Sequence, residues 1–193
     1  YSKRRAGKEW TAFATANAGK LILSEREYSI AAEMAAALTG DMVADSLLFG
    51  PGARHEQEVC WQIDGRDCRG RLDAYTDNAV IDLKTTKSAD PRNLEWQIHR
   101  DHWATQVVWY ADGLAASGGG WRHPYIVAVE NSAPYPVTVY KLSDPLIQQC
   151  RAQYMQWLKR LRECEASNIW PGYSSSVLAL EPRGIVPAYT GDE

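Results

Sequence analysis

No stretch of this chain approaches the roughly 18–20 consecutive apolar residues that a membrane-spanning helix needs, and the expectation is a protein with no membrane partner. No signal-peptide pattern is visible in the residues present. Cysteine is sparse. Cys60, Cys68, Cys150 and Cys164 form no Cys-x2-Cys pair, which removes the usual zinc framework. They read instead as reduced, structural thiols, and the localisation expected is cytoplasmic. His99, His102 and His123 show no metal-ligand spacing and read as surface or interface residues. A large excess of charge of one sign is also missing. The formal net charge of −3 argues against a protein that coats nucleic acid by charge alone. Phenylalanine is nearly absent, with two residues, so the eight tryptophans must supply much of the aromatic bulk. Most read more simply as core or subunit-interface residues than as stacking platforms for bases. No internal repeat or low-complexity segment is evident.

What is present suits a single globular domain. At 193 residues, with 45% hydrophobic and 23% charged residues, the chain can bury a substantial core. A helix is expected after Gly7. Ser24 with Glu27 three positions on forms a capping-box pattern opening a second helix, whose apolar residues Ile30, Met34 and Leu38 recur at helical spacing up to Gly40. A shorter helix follows from Asp41 to Phe49. Three strands are expected near Glu56–Ile63, Asp67–Tyr75 and Ala79–Thr85, with Asp64-Gly65 and Asp77-Asn78 as turns. Asp90-Pro91 opens one long helix over 92–117, closed by Gly118-Gly119-Gly120. Two strands near Tyr125–Glu130 and Val137–Leu142 precede a last helix from Asp144-Pro145 to about Ser167, and the tail from Trp170 is expected to wrap the surface. Helices, a three-strand meander, a helix, two strands and a helix give an α/β (α+β) fold with a central mixed β-sheet flanked by helices.

The chemistry concentrates in the meander. Gly70-Arg71-Leu72-Asp73 is followed, after a short gap, by Ile81-Asp82-Leu83-Lys84-Thr85-Thr86. Strand alternation puts Asp82 and Lys84 on one face, with Ile81 and Leu83 on the other. A hairpin about Asp77-Asn78 brings Asp73 close to Asp82. Two acids and a lysine on one polar face are costly to hold together without a cation. A divalent metal removes the repulsion and creates a hydrolytic site. Asp73 and Asp82 are therefore the first candidate ligands of Mg2+ or Mn2+, hard ions that prefer carboxylate and carbonyl oxygens. The bland alternative is a turn aspartate and a surface aspartate beside an ordinary exposed lysine.

The pattern Asp-x8-Asp-Leu-Lys resembles the metal-binding motif of the PD-(D/E)xK nuclease superfamily. Glu56-Gln57-Glu58-Val59-Cys60-Trp61 resembles the Glu-containing strand that precedes it, and Gln106-x3-Tyr110 the Gln-x3-Tyr helix motif of the exonuclease branch. With Val129-Glu130, Pro134-Tyr135 and Trp170-Pro171-Gly172-Tyr173, the likeness is to RecE (exonuclease VIII)-type exonucleases, over about Lys8 to Tyr173. Leu72 stands where the superfamily name has proline. The resemblance implies that the Leu83 carbonyl also binds metal, and that Lys84 orients or polarises the attacking water and stabilises charge on the phosphate. It implies that Glu56 completes the acidic set, with Glu58, two residues on along the same strand face, as the competing candidate. Gln106 and Tyr110, four apart on one helix face, would lie near the active centre and contact DNA or a site side chain. The alternative for Tyr110 is a core aromatic with a satisfied hydroxyl, and Trp103, Val107 and Leu114 repeat at helical intervals as the buried stripe. Glu130 reads as either a structural acid or a distant site member.

The resemblance implies a metal-dependent 5′-to-3′ exodeoxyribonuclease acting on double-stranded DNA ends, in the service of recombination. It also implies a ring-shaped homo-oligomer and a single-strand annealing protein as partner. Metal-holding acids count against the net charge, so −3 is compatible with this. Lys3-Arg4-Arg5 with Lys8, Lys84 with Lys87 and Arg92, and Arg151 with Lys159, Arg160 and Arg162 are basic clusters. Lys87 and Arg92 carry most weight because they flank the site. RecE-type proteins carry a histidine in a Gly-Thr-x-x-His-like segment on an early helix, and this chain, starting at Tyr1, has none. The expectation is one nuclease domain over 1–193 lacking its first native helix. Three alternatives stand beside it: an endonuclease or single-strand nuclease on the same fold, a catalytically impaired DNA-binding module, and a carboxylate-pair glycosidase, which would give Lys84 no role.

Overall fold

The computed structural model describes residues 5–174 together with 176, 177 and 179. Lys3 and Arg4 of the first basic cluster, and most of the tail beyond Ser174, lie outside the described residues. The chain divides into two compact units, one ending at Tyr154 and the other beginning at Met155. The first carries all of the sheet. The second comprises the later turns of the last helix and the residues that follow.

Local sequence sets most boundaries. Helix α1 spans Lys8–Ala16, α2 Glu25–Gly40 and α3 Met42–Phe49. The capping box at α2 forms as its sequence implies: Glu27 N–H donates to Ser24 Oγ at 3.2 Å, and Ser24 N–H to Glu27 Oε2 at 2.7 Å. Asp41 caps α3 by accepting from the N–H groups of Val43 and Ala44. Strands β1 (Arg54–Ile63), β2 (Arg66–Tyr75) and β3 (Ala79–Thr86) form the antiparallel meander. Asp64 and Gly65, at φ 49° and 77°, supply the two left-handed residues that a tight β1–β2 turn of the I′ type requires.

The expected single helix over 92–117 is instead two helices. Helix α4 spans Pro91–Arg100, with Asp90 as its cap, and α5 spans Trp103–Leu114. Between them His102 sits at φ 58°, a left-handed conformation that ends the first helix and re-aims the second. A wider-wound turn at Ala115–Gly119 extends α5, and Gly118 and Gly120 then turn the chain toward β4 (His123–Glu130). Strand β4 runs parallel to β3, and β5 (Val137–Lys141) antiparallel to β4. The sheet order β1-β2-β3-β4-β5 is thus mixed, with α4 and α5 serving as the crossover that a parallel pair demands. The expected central mixed sheet flanked by helices is the fold observed. Helix α6 spans Asp144–Ser167.

The two sheet faces carry two cores. On one, Val80, Ile126 and Ala128 pack with Leu94, Ile98, Val107, Val108 and Ala111 of α4 and α5. On the other, Ala79, Ile81, Val127 and Val129 pack with Leu38 and Leu48 of α2 and α3. Strand β3 is covered on both sides, which is usual for a strand with a parallel neighbour. The placement of Asp82 follows from this. Alternation along Val80-Ile81-Asp82-Leu83-Lys84 puts Asp82 on the α5 side of the central strand, where it is 1% exposed. Arg151 clasps α6 to α5 through three bonds to Asp112, 2.7, 2.9 and 3.2 Å long, and the Tyr154 hydroxyl adds a fourth at 2.7 Å.

Candidate active site

Register builds the site. Ala74 pairs with Ile81 and His55 with Ala74, so Glu56, Asp73 and Asp82 fall in one row across β1, β2 and β3. The strands distort at this row. Leu72 belongs to the α5-side core, Ala74 to the opposite one and Tyr75 to the first again, so both Leu72 and Tyr75 flank Asp73 on one face. Asp73 then bonds across the strands, Leu83 N–H donating to its Oδ2 at 2.8 Å.

Asp82 is the electrostatic centre. Burial pushes its pKa up to about 6, the Lys84 ammonium pulls it down, and the neighbouring Asp73 carboxylate pushes it up again. Lys84 Nζ donates to Asp82 Oδ1 at 3.1 Å and to Gln106 Oε1 at 2.8 Å. It also lies 2.8 Å from Asp82 Oδ2, but outside hydrogen-bond geometry, and that buried oxygen has no hydrogen-bond partner. Gln106 Nε2 in turn donates to the Tyr110 hydroxyl at 2.9 Å. A continuous chain of contacts therefore runs from Asp73 through Asp82, Lys84 and Gln106 to Tyr110.

Helix α5 reaches the sheet because β2 carries no side chain at Gly70. A Cβ there would lie 2.7 Å from a Tyr110 ring carbon. Gly70→Ala is expected to push Tyr110 off Gln106 and to lower stability by about 1–3 kcal/mol, as overpacking does; a thermal melt beside the wild type measures it.

Not every candidate arrives. Glu56 sits in the right row but at φ 53°, and its exposed carboxylate pairs with Arg71 at 2.6 Å instead of turning toward Asp73. Glu58, opposite Arg71 in register, is also exposed. Glu130 accepts from Ala89 N–H at 2.7 Å and so anchors the β3–α4 loop, a structural acid of the two possibilities its sequence left open. The proposed stripe does form: Val107 and Leu114 are buried, and half-buried Trp103 packs against the same core with its ring centroid 5.7 Å from Lys84 Nζ. His123 is also half-buried, its ring bonded to the Leu142 carbonyl. Thr86, the last residue of the motif and given no role in the sequence reading, is 2% exposed, and its hydroxyl bonds Gln97 Oε1 of α4 at 2.9 Å. Its alternation with Lys84, two residues back on the same strand face, is the signal that could have found it.

Two neighbouring carboxylates, Asp73 and the buried Asp82, are the kind of oxygen donors a divalent hard cation takes. Among the described residues no group of three or more His, Cys, Asp or Glu side chains converges as a metal site.

Residues 4–180 match a family described as a PDDEXK-like domain of unknown function, DUF3799. The chain belongs to that family. The DUF3799 domain thus carries the PD-(D/E)xK nuclease-superfamily assignment, and the motif positions described above fall within the matched residues. No curated protein sequence matches the chain. A crystal structure from Eubacterium rectale, described as a candidate exonuclease, shares the fold at a TM-score of 0.63, with 12% identity over 95% of this chain and 74% of that one. The solved structure of SSO0001 aligns over 76% of this chain and 83% of that one at 17% identity, and its TM-score of 0.35 carries no argument. Among the described residues no helix is long and apolar enough to cross a membrane.

Proposed function

We propose that this DUF3799 domain is a divalent-metal-dependent exodeoxyribonuclease of the RecE type, degrading double-stranded DNA ends 5′ to 3′. The observation that carries the proposal is the Lys84 ammonium held between the buried Asp82 carboxylate and Gln106, beside Asp73. An ordinary surface lysine has no reason to be so placed. A glycosidase pair would give it no role.

Asp73 and Asp82 are the residues that would hold Mg2+ or Mn2+, with the Leu83 carbonyl beside them. Such an ion, when bound, supplies charge neutralisation at the phosphate and acidifies water. The protein's own groups do the rest. Leu83 N–H fixes Asp73 in the row. Lys84 donates its N–H groups to the attacking water or to the phosphate oxygen on which charge builds, a contribution that typically amounts to about 10²–10³ in rate. Gln106 and Tyr110 hold that ammonium in place from α5. Breaking the bond between phosphorus and the 3′ oxygen leaves a 5′-phosphate and a 3′-hydroxyl. Glu56 is free to join at small cost, because its exposed pair with Arg71 contributes about 0.2–1 kcal/mol. Its left-handed backbone is the kind of local strain that accumulates at functional sites.

The double-strand preference and the polarity come from the RecE-type motifs. The ring-shaped homo-oligomer, the annealing-protein partner, the recombination role and the cytoplasmic setting belong to the same reading, as does a single nuclease domain spanning the chain. The test is digestion of a 5′-phosphorylated linear duplex beside a covalently closed circle, with and without Mg2+. We expect Mg2+-dependent loss of the linear DNA from its 5′ ends and an intact circle. Cleavage of the circle would make the protein an endonuclease, and an inert linear duplex that still binds protein would make it a DNA-binding module.

A further inference from the structure

We infer that Trp103 is a positioning residue for Lys84, an inference that rests on the nuclease reading above. Trp103, Gln106 and Tyr110 occupy positions i, i+3 and i+7 of α5, one face of the helix. Gln106 reaches Lys84 directly, at 2.8 Å. The indole of Trp103 lies with its centroid 5.7 Å from the same nitrogen, within cation–π range. The ammonium has three N–H groups. One is given to Asp82 Oδ1 and one to Gln106 Oε1, and the aromatic ring takes a further side.

A ring is a fitting partner here for a chemical reason. A third carboxylate would hold the ammonium but cancel its charge. The face of an indole attracts the cation without neutralising it and without demanding one hydrogen-bond direction. Lys84 can then turn from Asp82 toward a phosphate oxygen while its charge stays in the site. The Lys84 side chain is 19% exposed, so part of its hydration has already been replaced by protein. The backbone gives independent support. Trp103 is the first residue of α5, and the residue before it, His102, adopts φ 58°, unfavourable for a residue with a side chain. Had α4 continued unbroken, position 103 would point elsewhere. The break sets the direction from which the ring meets Lys84.

The test compares Trp103→Phe, which keeps a ring, with Trp103→Leu, which keeps apolar bulk but no ring. Steady-state cleavage of linear duplex in Mg2+ gives kcat and KM. Lysine-selective NMR, with the Lys84 signal assigned through Lys84→Arg, reports on the contact without any turnover. We expect the Lys84 ε-methylene protons to carry an upfield ring-current shift in the wild type and Trp103→Phe, and to lose it in Trp103→Leu. We expect kcat to fall on the order of tenfold in Trp103→Leu, with KM within twofold of the wild type and most of the loss restored in Trp103→Phe. An absent ring-current shift in the wild type, an unchanged kcat in Trp103→Leu, or equal losses in Leu and Phe would each overturn the inference. A wild type that shows the shift but cleaves no DNA would sink the nuclease reading, and the catalytic role of Trp103 with it, while leaving the contact established.

Discussion

An Asp82→Asn protein is expected to lose cleavage at least about 10³-fold and yet to melt higher than the wild type at pH 7. The stability gain follows from burial. Asp82 has a pKa near 6 in the folded protein against an ordinary 3.8, because desolvation outweighs the attraction of Lys84. Carrying that charge at pH 7 costs about 3 kcal/mol. The value near 6 already includes the attraction of Lys84, so the asparagine is expected to recover most of that cost, a net gain of about 2–3 kcal/mol. For a chain of this size that is a rise of about 2–4 °C per kcal/mol. The pH dependence fixes the cause. Between pH 4 and 6 the unfolded Asp82 is ionised while the folded one still holds its proton. The native state then binds more protons, and this residue's contribution to stability falls as pH rises. The variant lacks that slope. The two proteins should therefore differ little below pH 4, diverge up to pH 6 and stay apart above it, which thermal melts across that range will show.

Lys84→Met is expected to abolish cleavage by about 10²–10³-fold, but to move stability the other way. With the ammonium gone, Asp82 keeps its desolvation and its Asp73 neighbour and loses the cation that lowers its pKa. The folded pKa rises further, so the variant melts below the wild type at pH 7 and recovers toward pH 5. An unsatisfied buried charge of this kind costs about 1–3 kcal/mol. Divalent-ion affinity should increase, since a like charge has been removed from beside the ligands. Calorimetric titration with Mn2+ reads that sign. A variant that binds Mn2+ more weakly would mean that Lys84 supports the ion instead of opposing it.

Much of the site was legible because β-structure has a fixed period. Alternation along Val80 to Lys84, with a turn near Asp77-Asn78, is enough to put Asp82 and Lys84 on one face and Asp73 alongside. The Gln106–Tyr110 pair follows from four-residue helical spacing. The break at His102 was not legible. Residues 92–117 contain no glycine or proline before Gly113, their apolar positions are compatible with one helix, and the left-handed residue is a histidine. Trp103, at the start of the helix that follows the break, packs against the core as its place in the stripe implies and also lies 5.7 Å from Lys84 Nζ. Glu56 escaped for a similar reason. Its place in the row is correct by register, but one positive φ sends its side chain to Arg71. Periodicity gives the face and the row of a residue. It does not give departures from the regular backbone, and those depend on contacts made far along the chain.

The central claim is that Asp73 and Asp82 share one divalent ion. Crystals of the wild-type protein soaked in Mn2+ test it through the anomalous signal of the metal. The account predicts a peak bound by one oxygen from each carboxylate and by the Leu83 carbonyl, and its loss in Asp82→Asn crystals. No peak between the two aspartates, or a peak elsewhere in a protein that still cleaves DNA, would contradict it.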